Sequence, residues 1–348
     1  MPAWEPDVLP GYWQHTFDLG PDPDGEGDLA ATLVRRGKPD PSATHAVLVV
    51  HGFTDYFFNT ELADHFAGRG FAFYALDKHK CGRSWREGQT PHFTTDFARY
   101  DTELERALDV IAADFGTDAG QAAQTPSVLI YGHSTGGLIV PLWLDRVRRR
   151  GQTARRRITG LVLNSPWLDL QGPAILRAAP TRAAIGAISR VRKKRVLRPP
   201  TEGGYGATLH KEYGGEFDYN LQWKPIGGFP VTFGWLHAVR RAQTRLHRGL
   251  DVGVPNLILR SDRSVREVND PREVEAIQRG DAVLDVKQIA RWAGCIGNRT
   301  TIVPIVDAKH DVFLSVAESR QAAYRELDRW LDWYMTETSG ATTQSERG

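Results

Sequence analysis

Two kinds of apolar pattern alternate along this chain. Short continuous apolar runs predict buried strands, and longer segments with apolar residues at helical spacing predict amphipathic helices. The predicted strands are Trp13–Leu19, Leu29–Arg36, His45–Val50, Phe71–Leu76, Val128–Tyr131, Ile158–Leu163, Asn256–Leu259 and Thr300–Val306. The predicted helices are Phe58–Ala67, Phe97–Phe115, the segment after Ser134, Val286–Ala293 and Ala317–Tyr334. This alternation predicts an α/β fold with a mostly parallel sheet that helices cover on both faces.

The alternation is interrupted between Pro166 and Leu250. This stretch begins with a helical, basic part and continues with a part rich in glycine and aromatic residues. We expect it to be a cap over the sheet edge at which open α/β folds bind their ligands. The predicted organisation is a first core segment (1–166), a cap (167–250), a second core segment (251–335) and a disordered tail (336–348).

Composition narrows the class of protein. The chain has 348 residues, of which 41% are hydrophobic, so it can bury a full core. It contains neither an apolar run long enough to span a membrane nor a recognisable secretion signal. Cys81 and Cys295 are too few for a disulfide framework or a cysteine-based metal site. We therefore expect a cytoplasmic protein without a metal.

The charge is nearly balanced but unevenly distributed. A net charge of +2 argues against a dedicated nucleic-acid-binding protein. Basic residues nevertheless cluster between Arg146 and Arg157 and again between Arg190 and Arg198. Such clusters can be solvated helix ends, or they can attract an anionic substrate or lipid surface. Weak contact of the basic cap residues with a membrane surface therefore stays open.

The strongest chemical signal is the pentapeptide Gly132-His-Ser134-Thr-Gly136. An apolar strand precedes it and an apolar helix follows it, which is the context of a nucleophile elbow. In this turn the strand and the helix nearly touch, so only small residues fit two positions before and after the serine. The turn also directs the hydroxyl to a helix N-terminus. The pattern predicts Ser134 as a nucleophile.

A serine nucleophile needs a histidine base and a carboxylate that orients it, which follow the serine in this order in the strand–elbow architecture. Four histidines follow Ser134, but His210, His237 and His247 lie in the predicted cap. His310 follows the last predicted strand and is the predicted base. Two carboxylates compete as the acid. Asp262 directly follows a strand, whereas Asp281 precedes a predicted helix that it would cap.

Two backbone N–H groups must also stabilise the oxyanion. Thr135 follows the nucleophile and supplies one of them. Phe53, in the loop after the His45–Val50 strand, is the natural second donor because Gly52 lets the chain turn back towards the serine.

Taken together, these motifs resemble the α/β-hydrolase superfamily. The matching residues are His51-Gly52-Phe53, Asp77 with Cys81-Gly82-Arg83-Ser84, the Ser134 pentapeptide, and His310-Asp311. More narrowly, the chain resembles the branch of serine aminopeptidases, monoacylglycerol lipases and lysophospholipases. The resemblance implies an eight-stranded sheet, an inserted cap and a cofactor-independent serine hydrolase. It also implies an acid in an Asp-x-Val-x-Asp-like segment, which favours Asp281.

These observations predict a hydrolase of small-molecule carboxylic esters with lipid-like or apolar acyl groups. Tyr56, Trp223 and Trp235 are the residues predicted to line the substrate pocket. One alternative is a serine aminopeptidase, in which a cap carboxylate would hold the substrate ammonium. The candidates for that carboxylate are Glu202, Glu212, Glu216 and Asp218. A second alternative is a non-catalytic binding protein of the same fold. The sequence leaves the oligomeric state open.

Overall fold

A computed structural model of the protein describes residues 3–116, 125–266 and 277–345. Its strands are β1 (Glu5–Pro6), β2 (Tyr12–Pro21), β3 (Asp28–Arg36), β4 (His45–Val50), β5 (Phe71–Asp77), β6 (Ser127–His133), β7 (Ile158–Asn164), β8 (Val196–Arg198), β9 (Val231–Thr232), β10 (Asn256–Ser261) and β11 (Thr300–Ile305). Its α-helices are α1 (Thr60–Gly68), α2 (Tyr100–Asp114), α3 (Gly136–Arg149), α4 (Ala179–Arg192), α5 (Phe233–Leu246), α6 (Val286–Trp292) and α7 (Ala317–Ser345).

One large sheet organises the described part of the chain. Its strand order is β1-β2-β3-β5-β4-β6-β7-β10-β11. The six strands from β5 to β11 in this order are parallel, and β1, β2 and β3 continue the sheet in antiparallel pairs. The prediction of eight strands missed β1, a two-residue edge strand that is too short to show an apolar pattern. The remaining eight strands of the sheet correspond to those predicted.

The sheet separates two apolar layers. Along β4, Ala46, Leu48 and Val50 belong to one buried cluster. Val47 and Val49 belong to the other. Helices α2, α3 and α5 contribute to the first layer, and α1 and α7 contribute to the second. Because both faces are covered, the central strands are apolar throughout and do not alternate with polar residues.

The C-terminal helix is longer than predicted. The sequence pattern placed its end at Tyr334 and predicted a disordered tail over 336–348, but α7 continues to Ser345. The apolar stripe ends near Tyr334, which is why periodicity alone could not detect the polar extension. Residues 346–348 lie outside the described ranges.

The segment between β7 and β10 leaves the sheet, and we keep the name cap for its residues 167–250 as a label only. It contains α4, α5 and a separate two-stranded sheet of β8 and β9. Helix α5 packs against α3 and α4. The C-terminal end of α4 reaches the turn between β2 and β3. There Lys193 pairs with Asp24 at 2.9 Å and Lys194 pairs with Glu26 at 2.7 Å. In the described ranges, no helix combines the length and apolar character that crossing a bilayer requires.

Candidate active site

Ser134 lies in a tight turn between β6 and α3. Its φ is +52°, in the left-handed region that non-glycine residues rarely adopt. A Cβ built on Gly136 would lie 2.3 Å from the Val50 carbonyl oxygen, and one on Gly132 would lie 2.7 Å from a Val140 methyl carbon. The two glycines therefore provide the clearance predicted from the pentapeptide. A Cβ on Gly52 would lie 2.9 Å from the Ser134 Cβ, so the loop after β4 also closes on the nucleophile.

Three side chains form a continuous hydrogen-bonded relay. The Ser134 hydroxyl lies 2.9 Å from His310 Nε2. His310 Nδ1 lies 3.0 Å from Asp281 Oδ2. Ser134 is 9% exposed, His310 is 3% exposed and Asp281 is fully buried, so the relay is largely shielded from water. The serine can pass a proton to the imidazole, and the carboxylate can hold the second ring N–H.

The structure brings Asp281 rather than Asp262 to the histidine. Asp281 donates its N–H to the carbonyl of Arg263, and its own carbonyl accepts from Val265. These bonds return the chain to the end of β10 after an excursion whose residues 267–276 lie outside the described ranges. Asp281 Oδ1 accepts the N–H groups of Val283 and Leu284, at 2.8 and 2.7 Å.

Asp262 points to a different loop. Its Oδ1 accepts the N–H of Asp307 at 3.0 Å, and its side chain is 27% exposed. The expectation that Asp281 caps a helix is wrong, because Asp285 caps α6 by accepting the N–H of Lys287. The N-cap of α6 is thus Asp285, four residues after Asp281.

A second group of side chains, which sequence reasoning missed, supports the relay. The side-chain amide of Asn164 donates to Asp311 Oδ1 at 2.6 Å and to the Tyr131 hydroxyl at 2.9 Å. Its main-chain carbonyl accepts the N–H of Ser134. It thus joins the nucleophile turn to the histidine loop. From the cap, the hydroxyl of Tyr205 accepts the Asp311 N–H at 3.0 Å, and its ring stands edge-on to His310. Asp311 belongs to the His310-Asp311 motif, but no local motif marks Asn164 or Tyr205, because their partners are distant in sequence.

The predicted oxyanion donors are both close to Ser134 in the chain path, since Thr135 follows it and Gly52, which precedes Phe53, approaches its Cβ. Thr135 starts the first turn of α3, whose N-terminus favours negative charge. Phe53 follows Gly52, and its ring packs on Trp235 with centroids 4.1 Å apart. The next residue, Thr54, has a φ of +52°. The loop therefore holds a strained conformation directly beside the Phe53 amide.

Three residues of the cap hold this loop by four hydrogen bonds. Lys224 Nζ donates to Asp55 Oδ1 at 2.7 Å and to the Thr54 carbonyl at 3.3 Å. The Phe229 N–H donates to Thr54 Oγ1 at 2.9 Å. A further N–H of the cap, that of Asn220, donates to the Tyr56 hydroxyl at 2.8 Å. Four consecutive loop positions, 53–56, thus contact the cap.

The three predicted pocket residues fall into two places. Trp235 is buried between Phe53 and Trp167, next to the predicted oxyanion loop. Tyr56 and Trp223 contact each other edge-on, and the Arg83 guanidinium lies over both rings. Tyr56 also packs on the Phe58 ring, with centroids 5.7 Å apart. Their role as pocket residues stays a prediction.

Burial changes the protonation of several groups around the relay. It lowers the pKa of His51 and His92 well below the usual value and also lowers that of His133, so these histidines favour the neutral form. Lys309 precedes His310, donates to the Thr208 carbonyl, and has a pKa lowered by burial to about 8. In the described part of the chain, no group of three or more histidine, cysteine or acidic side chains is arranged to hold a metal ion.

Comparison with known proteins adds the family. A family model described as serine aminopeptidase, S33, matches residues 41–264, which is more than half of the chain and includes Ser134 and the cap. No curated protein sequence matches the chain significantly. A solved structure of a soluble variant of monoglyceride lipase from Saccharomyces cerevisiae is similar, with a TM-score of 0.60 and 15% identity over 92% of this chain and 96% of that one.

A second similar structure is the monoacylglycerol lipase of Paleococcus ferrophilus. Its TM-score is 0.56 and its identity is 16%, over 92% of this chain and 99% of that one. At such low identity, the likeness establishes the fold and nothing finer. The predicted α/β-hydrolase fold is thereby confirmed.

Proposed function

We propose that this chain, which belongs to the serine aminopeptidase S33 family of hydrolases, cleaves carboxylic esters of apolar acyl groups through an acyl-enzyme. The observation that carries the proposal is the buried relay from Ser134 through His310 to Asp281. A serine hydroxyl is a poor nucleophile by itself, and this arrangement supplies the base and the orienting carboxylate that it needs.

The proposed reaction has two halves. The Ser134 oxygen attacks the ester carbonyl while His310 Nε2 takes its proton, and His310 then returns a proton to the leaving alcohol. Water next attacks the acyl-enzyme with His310 again as the base, which releases the acid and restores the serine. Asp281 holds the imidazole in one tautomer and stabilises the imidazolium formed in both halves.

The backbone N–H groups of Phe53 and Thr135 are the proposed oxyanion donors. Their position beside Ser134 and the helix N-terminus at Thr135 support this role. In a complex with a phosphonate, we expect the phosphoryl oxygen at about 2.7–3.1 Å from both nitrogens. A complex in which another pair of N–H groups binds that oxygen would contradict the assignment.

The surroundings of the site favour an apolar acyl group. Trp235, Trp167 and Phe53 form an aromatic group beside the proposed oxyanion loop. The proposed cap, 167–250, would close over this group. Because Ser134 is only 9% exposed, we expect residues around it to move when a substrate enters. Mobile caps commonly determine which substrate enters such sites.

A serine aminopeptidase is the second candidate because the matching family carries that description. It needs a carboxylate for the substrate ammonium. Two of the cap candidates have basic partners at the surface, Asp218 with Lys211 and Glu216 with Arg320. These pairs count against Asp218 and Glu216 as ligands of a substrate ammonium, whereas Glu202 and Glu212 stay candidates. Comparing p-nitrophenyl acyl esters with aminoacyl anilides separates the two activities.

Labelling with a fluorophosphonate tests the proposal. The probe should label the wild type and not Ser134→Ala, which should also lose at least about a thousandfold in kcat on p-nitrophenyl esters. Ser42→Ala, in an exposed turn, is the matched control and should behave as the wild type. Labelling of Ser134→Ala, or full turnover without Ser134, would contradict the proposal.

A further inference from the structure

The part of the cap around α4 has an unusual composition. Residues 171–201 contain eight basic residues and no acidic residue. The same stretch contains half of the large hydrophobic side chains that are exposed in the described ranges. These are Ile175, Leu176, Ile188, Val191, Val196 and Leu197. A surface that is both strongly basic and apolar differs from an ordinary solvated helix, which exposes polar side chains of both signs.

The exposed apolar residues and the basic residues occupy separate positions around α4. Ala184, Ile188 and Val191 are exposed at helical spacing and form one outward stripe, with Ala187 beside it. We call these four residues the α4 stripe. Arg190 and Arg192 flank the stripe on its two sides, and both are exposed. The opposite face, with Ile185, Gly186 and Ser189, is buried, and Gly186 lies against the His237 ring of α5.

Internal ion pairs distinguish the two basic clusters of the chain. In the first cluster, five arginines pair with carboxylates: Arg146, Arg148, Arg149, Arg150 and Arg156. In the second cluster, Lys193 and Lys194 pair with the β2–β3 turn. Within residues 3–116, 125–266 and 277–345, no ion pair includes the other four members of that cluster. These are Arg190, Arg192, Arg195 and Arg198.

We propose that the face of the cap around α4, which we call the α4 surface, docks on an anionic lipid bilayer. The α4 stripe and Leu197 would insert at the interface, and the four arginines without ion pairs would contact the lipid head groups. Interfacial helices combine an apolar face with basic flanks in this way. Their membrane affinity increases with the apolar area that they bury and with their attraction to anionic lipids. A nucleic acid would use the arginines but gain nothing from Val191, which is 84% exposed. The proposal goes beyond the hydrolase function and does not involve Ser134.

Vesicle flotation tests this surface. The wild type should bind vesicles of phosphatidylcholine mixed with phosphatidylglycerol at least about tenfold more strongly than pure phosphatidylcholine, and high salt should reduce the difference. Arg192→Glu/Arg195→Glu should lower binding to the anionic vesicles by about thirtyfold or more. Val191→Ser/Leu197→Ser keeps the charge and should lower it several-fold.

Lys38→Glu/Arg155→Glu is the matched control. It makes the same charge change at exposed residues before β4 and β7, at the opposite edge of the sheet from the cap, and should change binding by about twofold or less. Ser134→Ala should bind as the wild type, so failure of the hydrolase proposal leaves this test intact. The three double variants alter exposed residues only, and circular dichroism verifies their folding.

Three results would overturn the proposal. The first is equal binding to neutral and anionic vesicles, or no binding to either. The second is an equal loss in the two charge-reversal variants, because charge location would then be irrelevant. The third is full binding by Val191→Ser/Leu197→Ser together with equally tight binding to duplex DNA, which would identify a general polyanion site.

Discussion

Replacing Lys224 by methionine probes how the cap holds the proposed oxyanion loop, residues 53–56. Lys224 comes from the cap and pairs with Asp55 in the loop after β4, two residues beyond Phe53. Both side chains are 10% exposed, so the ammonium and the carboxylate lie almost entirely out of water. Methionine keeps much of the length of the side chain while it removes the charge and the hydrogen bond to the Thr54 carbonyl.

The expected magnitude follows from this burial. Removing one member of a buried pair leaves an uncompensated charge, and we expect the free energy of unfolding to fall by about 3 kcal/mol. The loop should also hold the Phe53 N–H less firmly. Loss of a whole oxyanion donor costs about 100-fold to 1000-fold in kcat, and Lys224 acts only through the loop. We therefore expect about a tenfold loss in kcat with little change in KM.

A double-mutant cycle is the assay. Urea unfolding and p-nitrophenyl ester kinetics are measured for Lys224→Met, Asp55→Asn and the double variant. The double variant should recover to within about 1 kcal/mol of the wild type, because no unpaired charge remains. Lys211→Met is the matched control, since Lys211 and Asp218 are 52% and 67% exposed, and it should cost about 0.5 kcal/mol or less.

Two results would refute the reasoning. If the losses of the single variants add in the double variant, the two groups are not coupled. If Lys224→Met loses stability but keeps full kcat, the pair stabilises the fold without positioning the loop.

Three further outcomes are expected. Asp281→Asn should lower kcat by orders of magnitude with the fold intact, whereas Asp262→Asn should cost only about 0.5–2 kcal/mol of local turn stability; the reverse ranking in a paired assay would make Asp262 the acid. Trp235→Leu makes room beside Phe53 and should change the acyl-chain preference across a p-nitrophenyl ester series, and an unchanged profile would place the acyl group elsewhere. Lys309→Met should raise the free energy of unfolding by about 2 kcal/mol at pH 7. Methionine avoids the cost of burying the ammonium, which the lowered pKa reports, but it loses the hydrogen bond to the Thr208 carbonyl. Folded Lys309 loses its proton near pH 8 and the unfolded residue near pH 10.5, so wild-type stability should rise across this interval and the advantage of Lys309→Met should shrink; urea midpoints that stay a constant distance apart from pH 7 to pH 10.5 would contradict this.

Local sequence patterns were enough to predict those parts of the candidate site that consist of residues close together in sequence. The strand, the serine turn and the helix around Ser134 are consecutive in sequence, and His310 follows the last strand directly. The acid was ambiguous because its position depends on main-chain bonds between Asp281 and residues 263–265, which no pattern reports. Asn164 and Lys224 were missed for the same reason, since each acts on a partner far away in sequence.

Two main-chain hydrogen bonds hold Asp281 beside the end of β10. The position of this side chain therefore does not depend on a continuous peptide chain between residues 266 and 277. Arg263 and Val265 hold the acid by main-chain contacts, and β10 and β11 pair along six residues, Asn256–Ser261 with Thr300–Ile305. A cut between residues 266 and 277 would therefore leave the proposed nucleophile, Ser134, on one fragment and the proposed acid and base, Asp281 and His310, on the other, with the sheet joining them. Reassembly of the two fragments would then be visible as restored ester hydrolysis.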